Sequence, residues 1–337
     1  MREEKTVQKI TGNTIPQEIE SLKPYAPYLM WEPEALQAQD RMPALNEWHE
    51  RLPTWSVESM IYGLSELAAL AEKGKVLFDV YSPDEIREDP SREHVKTWFI
   101  PSRIQPSEKP FVLCYAGGGY RTVCSFAEAF PTAARMAELG YNVFVPTYRV
   151  GFSPLMPKPL EDVNAVLGFI LAHSEDFHLN NTRYILNGFS AGAHLICLWG
   201  TESSGYGKYG KPKPHVLFPI YTVSRFFTDD MDETSRMLIN GLLASLLGED
   251  FDPMSADRYE VLKNMTADYP PCYLVHARND SAVDYRNSTD MAAVLKELGI
   301  PHELELAENG DHGFGDGRGT AAYGWIERAL RFSETLV

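Results

Sequence analysis

Five residues, Gly188-Phe189-Ser190-Ala191-Gly192, constrain the fold of this chain more than any other segment. They follow the short apolar run Tyr184-Ile185-Leu186 and lead into Ala193-His194-Leu195-Ile196-Cys197-Leu198, which reads as a helix. A strand, a Gly-x-Ser-x-Gly turn and a helix, in that order, are the context of a nucleophile elbow. The chain turns so sharply at the serine that side chains at the flanking positions would collide with neighbouring backbone, and glycine removes them. The serine hydroxyl then stands beside a helix N-terminus, whose free N–H groups can receive developing negative charge. So short a pattern also arises by chance. Its weight depends on three further parts: a glycine-rich loop upstream, then an acid and a histidine downstream.

All three are present. Phe111-Val112-Leu113-Cys114-Tyr115 reads as a buried strand and runs into Ala116-Gly117-Gly118-Gly119-Tyr120. Consecutive glycines after a strand let backbone N–H groups point into a site without Cβ obstruction. A flexible turn is the plain alternative. A phosphate cradle is disfavoured, because no Gly-Lys-Ser/Thr or Gly-x-Gly-x-x-Gly follows. Downstream, the strand Cys272-Tyr273-Leu274-Val275-His276 ends in Ala277-Arg278-Asn279-Asp280. After a further strand near Leu304-Glu305-Leu306 comes Gly310-Asp311-His312-Gly313-Phe314-Gly315. Ser190, Asp280 and His312 therefore all stand just past expected strand ends, where open α/β sheets bind ligands. Each alone has an ordinary reading as a turn, a cap or a solvated loop residue. The joint order Ser, Asp, His is what chance rarely supplies.

With these residues in place, the chain resembles the α/β-hydrolases, and among them the esterases related to hormone-sensitive lipase. That group carries His-Gly-Gly-Gly where this chain has Ala116-Gly117-Gly118-Gly119. A glycine, a strand and Tyr-Arg follow, as Gly140, Val143-Phe144-Val145 and Tyr148-Arg149. A proline-rich stretch and an Asp-bearing helix correspond to Pro157, Pro159, Leu160, Glu161, Asp162 and Ala165. The acid segment resembles Asp280-Ser281-Ala282-Val283-Asp284, with Ser281 for the usual proline, and His312-Gly313-Phe314 matches the base segment. The resemblance runs from about Lys75 to the C-terminus. It implies an oxyanion hole made by the N–H groups of Gly118, Gly119 and Ala191. The family's histidine braces the glycine loop, so Ala116 leaves that loop without its usual support.

Composition fits. A chain of 337 residues with 44% apolar content can bury one sizeable core. A net charge of −16 argues against nucleic acid or an anionic membrane as partner. Cys114, Cys124, Cys197 and Cys272 show no metal-ligand spacing, and a disulfide framework is not expected in a chain this long. The start, Met1-Arg2-Glu3-Glu4-Lys5, is charged with no apolar run behind it, which argues against a secretory signal. A reduced, cytoplasmic setting is expected, with no metal or other cofactor. A homodimer is left open.

Strands are expected near 76–81, 95–100, 111–115, 142–146, 184–187, 215–221, 272–276 and 302–306. The first two face each other across a turn and read as antiparallel. From Val143 onward strands alternate with helical patterns, which argues for a mostly parallel sheet. The expected fold is the α/β-hydrolase fold: a twisted sheet of about eight strands, helices on both faces, and a helical cap. Residues 1–55 read as an irregular arm, and Ser56 opens a helix with Met60, Leu64, Leu67 and Ala71 on one stripe. Residues 1–74 are expected to join the cap and 75–337 to form the catalytic domain. A cap insertion is expected at about 222–270, a connection too long for a plain crossover. Its apolar residues, Met237, Leu238, Leu242, Leu246 and Leu247, read as one stripe packed on the body.

The expected chemistry is hydrolysis of a small-molecule acyl ester with short acyl groups. Ser190 attacks the carbonyl, His312 takes and returns the proton, and Asp280 orients the imidazole. Asp311 is adjacent to His312 and poorly placed to reach its own neighbour's Nδ1. Tyr120 is expected to line the substrate pocket, His194 to pack beneath the elbow, and His276 to be structural. An amide or formamide hydrolase would use the same triad. A hydrolase-fold binding module would usually lack a triad member, and this chain lacks none.

Overall fold

A computed structural model describes residues 8–33, 42–105, 107–151, 154–228, 231 and 233–336. The charged start, residues 34–41 of the arm, and residues 229–230 and 232 of the expected cap lie outside the described residues. Eight strands form one sheet: β1 (Leu77–Asp79), β2 (Lys96–Ile100), β3 (Phe111–Tyr115), β4 (Val143–Pro146), β5 (Tyr184–Phe189), β6 (Val216–Ile220), β7 (Cys272–Ala277) and β8 (His302–Ala307). Their spatial order is β1-β2-β4-β3-β5-β6-β7-β8. β1 and β2 pair antiparallel, as does β2 with β4. Every later pair is parallel.

The local reasons are direct. β3, β5 and β6 are buried along their whole length, as strands covered on both faces must be, so they read as continuous apolar runs. β8 lies at the edge and is only partly buried.

Eleven α-helices occur among the described residues: α1 (Leu45–Arg51), α2 (Val57–Ala71), α3 (Pro83–Glu88), α4 (Ala129–Glu138), α5 (Lys158–Ala172), α6 (Ala191–Trp199), α7 (Glu233–Leu247), α8 (Pro253–Ala256), α9 (Val261–Asn264), α10 (Arg286–Glu297) and α11 (Trp325–Thr335). α4 and α11 pack together on one face of the sheet, with α2 against α4. α5 and α6 pack together on the other face, where right-handed crossovers also place α10. Ser56 caps α2 by accepting from the Ser59 N–H.

The strand order reverses at β3, which has β4 on one side and β5 on the other. Connections leaving β3 and β5 therefore diverge to opposite faces and open a crevice at the carboxyl ends of these strands. The glycine loop follows β3 and Ser190 follows β5.

Two features hold that end of the sheet. Tyr148 Oη donates to the Ala116 carbonyl at 2.9 Å, just before the glycines. The buried Arg149 donates through its backbone N–H and Nε to Asp162 at 2.7 and 2.9 Å, and Tyr81 Oη donates to the same carboxylate. The Tyr-Arg pair and the Asp-bearing helix of the sequence pattern are thus one buried hydrogen-bonded unit.

The N-terminal arm is tied to the site. Trp31 and Val123 exchange backbone hydrogen bonds at 3.1 and 2.7 Å, and the Phe126 N–H donates to the Leu29 carbonyl. Leu22 and Leu29 are fully buried.

The connection from β6 to β7 carries α7, α8 and α9. Its expected single stripe is split. Leu243, Leu246 and Ile239 are buried, whereas Met237 is 68% and Leu238 43% exposed. The packed face of α7 is rotated from the expected one, because burial follows the neighbours the helix meets rather than the hydrophobic residues it offers.

Candidate active site

Ser190 occupies φ 51°, ψ −117°, a region that non-glycine residues seldom enter. The strain is imposed by its surroundings. A Cβ on Gly192 would lie 2.4 Å from the Tyr115 carbonyl oxygen, and one on Gly188 would lie 2.5 Å from that of Gly192. Only glycine at both positions lets β5 turn into α6 this closely against β3.

Ser190 Oγ lies 2.9 Å from His312 Nε2. His312 Nδ1 lies 2.9 Å from Asp280 Oδ2. The carboxylate can only accept, so Nδ1 carries the proton and Nε2 is free to accept from the serine hydroxyl. The three side chains come from the ends of β5, β7 and the loop after β8, and the structure brings them together.

The neighbouring acids are occupied elsewhere. Asp311 Oδ1 accepts from the N–H and Oγ of Ser281 and from the His312 N–H. Asp284 accepts from the N–H and Nε of Arg286.

The electrostatics are coherent. Burial alone would raise the pKa of Asp280, but hydrogen bonds from His276 and His312 hold it well below the usual carboxylate range. For His312, burial disfavours the cation, yet the hydrogen bond and charge of Asp280, with Glu128 and Asp311 behind it, raise the pKa above its ordinary value.

The N–H groups of Gly118, Gly119 and Ala191 donate to no protein acceptor among the described hydrogen bonds. Gly118 has φ 129°, and a Cβ there would lie 2.2 Å from the Thr122 carbonyl oxygen, so the loop can take this course only with glycine. A cavity of about 540 Å³ lies over Ser190, Ala191, Gly118, Gly119 and His312. Trp55, Val223, Met231, Leu238, Ile239 and Leu242 give it apolar lining, and Arg225, Ser281, Asp284 and Asn287 polar lining.

Tyr120 does not line this cavity. It is fully buried, and its hydroxyl pairs with His194 Nδ1 at 2.9 Å. The chain turns at Tyr120 with φ 57°, which sends the ring under the elbow rather than into the crevice. His194 packs there as expected, its Nε2 donating to the Tyr259 carbonyl, and burial pushes its pKa down to about 4.

Two residues at the site escaped the sequence reading. Trp55 lines the cavity from the N-terminal arm. Glu128 is 4% exposed and accepts from the Gly117 N–H. A lone acid inside the apolar run Phe126-Ala127-Glu128-Ala129-Phe130 was its one visible signal. His276, read as structural, bonds Asp280 directly.

Comparison with known proteins agrees with this architecture. The BD-FAE family model matches residues 99–295, more than half of the chain, from β2 into α10 and ending short of His312. A relative from Butyrivibrio fibrisolvens, endo-1,4-beta-xylanase B, is 26% identical over 67% of this chain and 35% of its own length. A probable carboxylic ester hydrolase, LipM, from Mycobacterium tuberculosis is 24% identical over 61% of this chain and 49% of its own. The chain thus spans about a third to a half of the length of these curated relatives. Among solved structures, an acetyl ester-xyloside bifunctional hydrolase from Caldicellulosiruptor lactoaceticus superposes with a TM-score of 0.61 at 24% identity, covering 77% of this chain and 94% of that one. This likeness is one of fold.

Proposed function

The chain belongs to the BD-FAE family, an esterase family of α/β-hydrolase type, and on that premise we propose that it is a serine carboxylesterase acting on short acyl esters. Ser190 attacks the ester carbonyl while His312 Nε2 takes its proton. The carbonyl oxygen becomes an oxyanion that receives the N–H groups of Gly118, Gly119 and Ala191. The tetrahedral intermediate collapses, His312 returns the proton to the departing alcohol, and an acyl-Ser190 ester remains. Water, deprotonated by His312, then attacks that ester and frees the acid and Ser190. Asp280 holds the tautomer and balances the imidazolium charge throughout. The observation that carries this reading is the Ser190–His312–Asp280 chain, with both links at 2.9 Å.

The described residues of 222–270 and the segment Leu52–Trp55 act in this reading as a roof over the site. Support comes from the shared cavity lining of Trp55, Leu238, Ile239 and Leu242 with Ser190 and His312. A covered cavity of about 540 Å³ suits a small acyl group with its alcohol rather than a long chain. Among the described residues no helix is long and apolar enough to cross a membrane.

The test is an acyl series from acetyl to palmitoyl on p-nitrophenyl esters, with acyl amides and acetylated sugars alongside. Activity should peak at roughly C2 to C6 and show no jump when substrate passes its solubility limit. Ser190→Ala should cost on the order of 10⁴-fold or more in kcat and abolish covalent labelling by a serine-directed phosphonate. Preference for the amides would move the reaction to C–N cleavage by the same triad. Interfacial activation on long-chain triglycerides would overturn the roof and the substrate class together.

A further inference from the structure

The glycine loop lacks the histidine that braces it in the esterases this chain resembles, yet it is not unsupported. Glu128, at the N-terminus of α4, reaches back to it. Oε2 accepts the Gly117 N–H at 2.6 Å, and Oε1 accepts the Tyr221 hydroxyl at 2.9 Å. The Tyr221 oxygen in turn accepts from the Gly315 N–H at 3.3 Å.

Tyr221 follows β6 with φ 41°, an uncommon conformation for a bulky residue. Its ring lies 4.8 Å from the His312 ring and 4.7 Å from Phe314, centre to centre. Gly117 is wedged in place, since a Cβ there would be 2.9 Å from Ser190 Cβ and 3.1 Å from Glu128 Oε2. One buried carboxylate thus joins the loop after β3, the end of β6 and the loop that carries His312.

Burying a carboxylate on neutral donors is expensive, and Glu128 accepts from two such donors, an amide and a phenol. Burial raises the Glu128 pKa, an effect the two hydrogen bonds and His312 only partly offset. An ordinary packing position would not hold such a group. The bond to Gly117 has a specific consequence. It engages the first N–H of the glycine run and leaves the next two, Gly118 and Gly119, without protein acceptors and beside the cavity.

We propose that Glu128 is a positioning residue of the esterase site: it clamps Gly117 so that the Gly118 and Gly119 N–H groups face the oxyanion, and through Tyr221 it fixes the His312 loop. This rests on the reading of Ser190 as nucleophile. The groups facing His312 are Asp280 beyond β7, Asp311 on its own loop, Tyr221 at the end of β6 and Glu128 at the start of α4, with His276 behind Asp280. Those facing Glu128 are Tyr221, His312, the buried phenol of Tyr148 and the neutral thiols of Cys114 and Cys124.

Two variants test it, with kcat, KM and the pH profile measured on acetyl and butyryl p-nitrophenyl esters. Glu128→Ala should lower kcat by about 10²-fold, the loss typical of an impaired oxyanion hole, with KM changed only a few-fold. Glu128→Gln keeps a carbonyl for the Gly117 N–H and an amide to donate to Tyr221. It should recover kcat to within about tenfold of wild type. Because it removes a negative charge that favours the imidazolium, it should also move the acid limb of the profile to lower pH. If Glu128→Ala fails to fold, the limb in Glu128→Gln decides. Wild-type kcat in folded Glu128→Ala, or an unmoved limb in Glu128→Gln, overturns the proposal while Ser190→Ala remains inactive. Retained activity in Ser190→Ala would overturn the esterase reading and this proposal with it.

Discussion

His276 Nε2 lies 3.1 Å from Asp280 Oδ2. This is the oxygen that also receives His312 Nδ1, while Oδ1 accepts the N–H groups of Ala282 and Val283. Nε2 of His276 also faces the Val283 carbonyl, so both its neighbours are acceptors and it carries the proton. The other ring nitrogen then accepts from Ser288 Oγ at 2.8 Å. Asp280 is therefore an ionised carboxylate fixed from four directions, which is what an orienting acid requires.

Asp280→Asn should cost on the order of 10³–10⁴ in kcat, because an amide can donate to Nδ1 and select the wrong tautomer. Asp284→Asn and Asp311→Asn should each stay within about tenfold, as neither carboxylate touches the His312 ring in the structure. Steady-state kinetics on the three variants check this. Equal losses at Asp284 would refute the assignment.

Replacing His276 by Phe removes one of the two imidazole donors to Asp280 and strands the Ser288 hydroxyl in the interior. We expect about 1–3 kcal/mol of lost stability from the unsatisfied groups. We also expect a fall in kcat of roughly tenfold or more as Asp280 loosens. Denaturant melts and single-turnover kinetics separate the two effects. A variant with unchanged kcat would show that His276 only fills space.

In the proposed mechanism His312 must be neutral to take the serine proton. Its pKa is raised above the ordinary imidazole value, because the hydrogen bond and charge of Asp280, with Glu128 and Asp311, outweigh the burial that opposes its cation. A raised pKa moves the acid limb of kcat/KM upward, so activity should climb with pH through a midpoint above about 6.5. A profile flat down to about pH 5 would contradict a histidine base.

Gly192→Ala should destabilise the protein by about 1–3 kcal/mol or more, since the new methyl would sit 2.4 Å from the Tyr115 carbonyl oxygen. Gly74→Ala is the matched control. Nothing lies within 4 Å of its added Cβ, and its φ is not in the left-handed region. Its effect should stay near ±0.5 kcal/mol. Thermal melts of the pair distinguish a steric demand at the elbow from a general sensitivity to losing glycine.

Much of the fold was legible because its signals are local. Continuous apolar runs gave the strands covered on both faces, and β3 runs over Phe111–Tyr115, as the apolar run alone would place it. The glycines at 188 and 192 announced a turn that no other residue can make. The order of Ser190, Asp280 and His312 was readable because each follows a strand, and parallel strands deliver their carboxyl ends to one edge of the sheet. What failed depended on rotation or reach. On α7 the expected Leu246 is buried, but Ile239 and Leu243 take the places of Met237 and Leu238, which are exposed, because helical periodicity names candidates for burial but not the face that meets a partner. Tyr120 turned inward to His194, a partner 74 positions away.

The sequence by itself therefore determined the kind of sheet and the elbow, and it named the three side chains, Ser190, Asp280 and His312, on which the proposed chemistry rests. Only the tertiary structure decided that they meet. Ser190 and His312 are 122 positions apart and lie 2.9 Å from each other because β5 and the loop after β8 end at the same rim. It also decided what surrounds them: Glu128 under the glycine loop, His276 behind Asp280 and Trp55 over the cavity. The physical reason is that backbone sterics and hydrophobic periodicity act between near neighbours in the chain. Hydrogen bonds, charge and cavity walls act through space, and packing alone sets which residues are close.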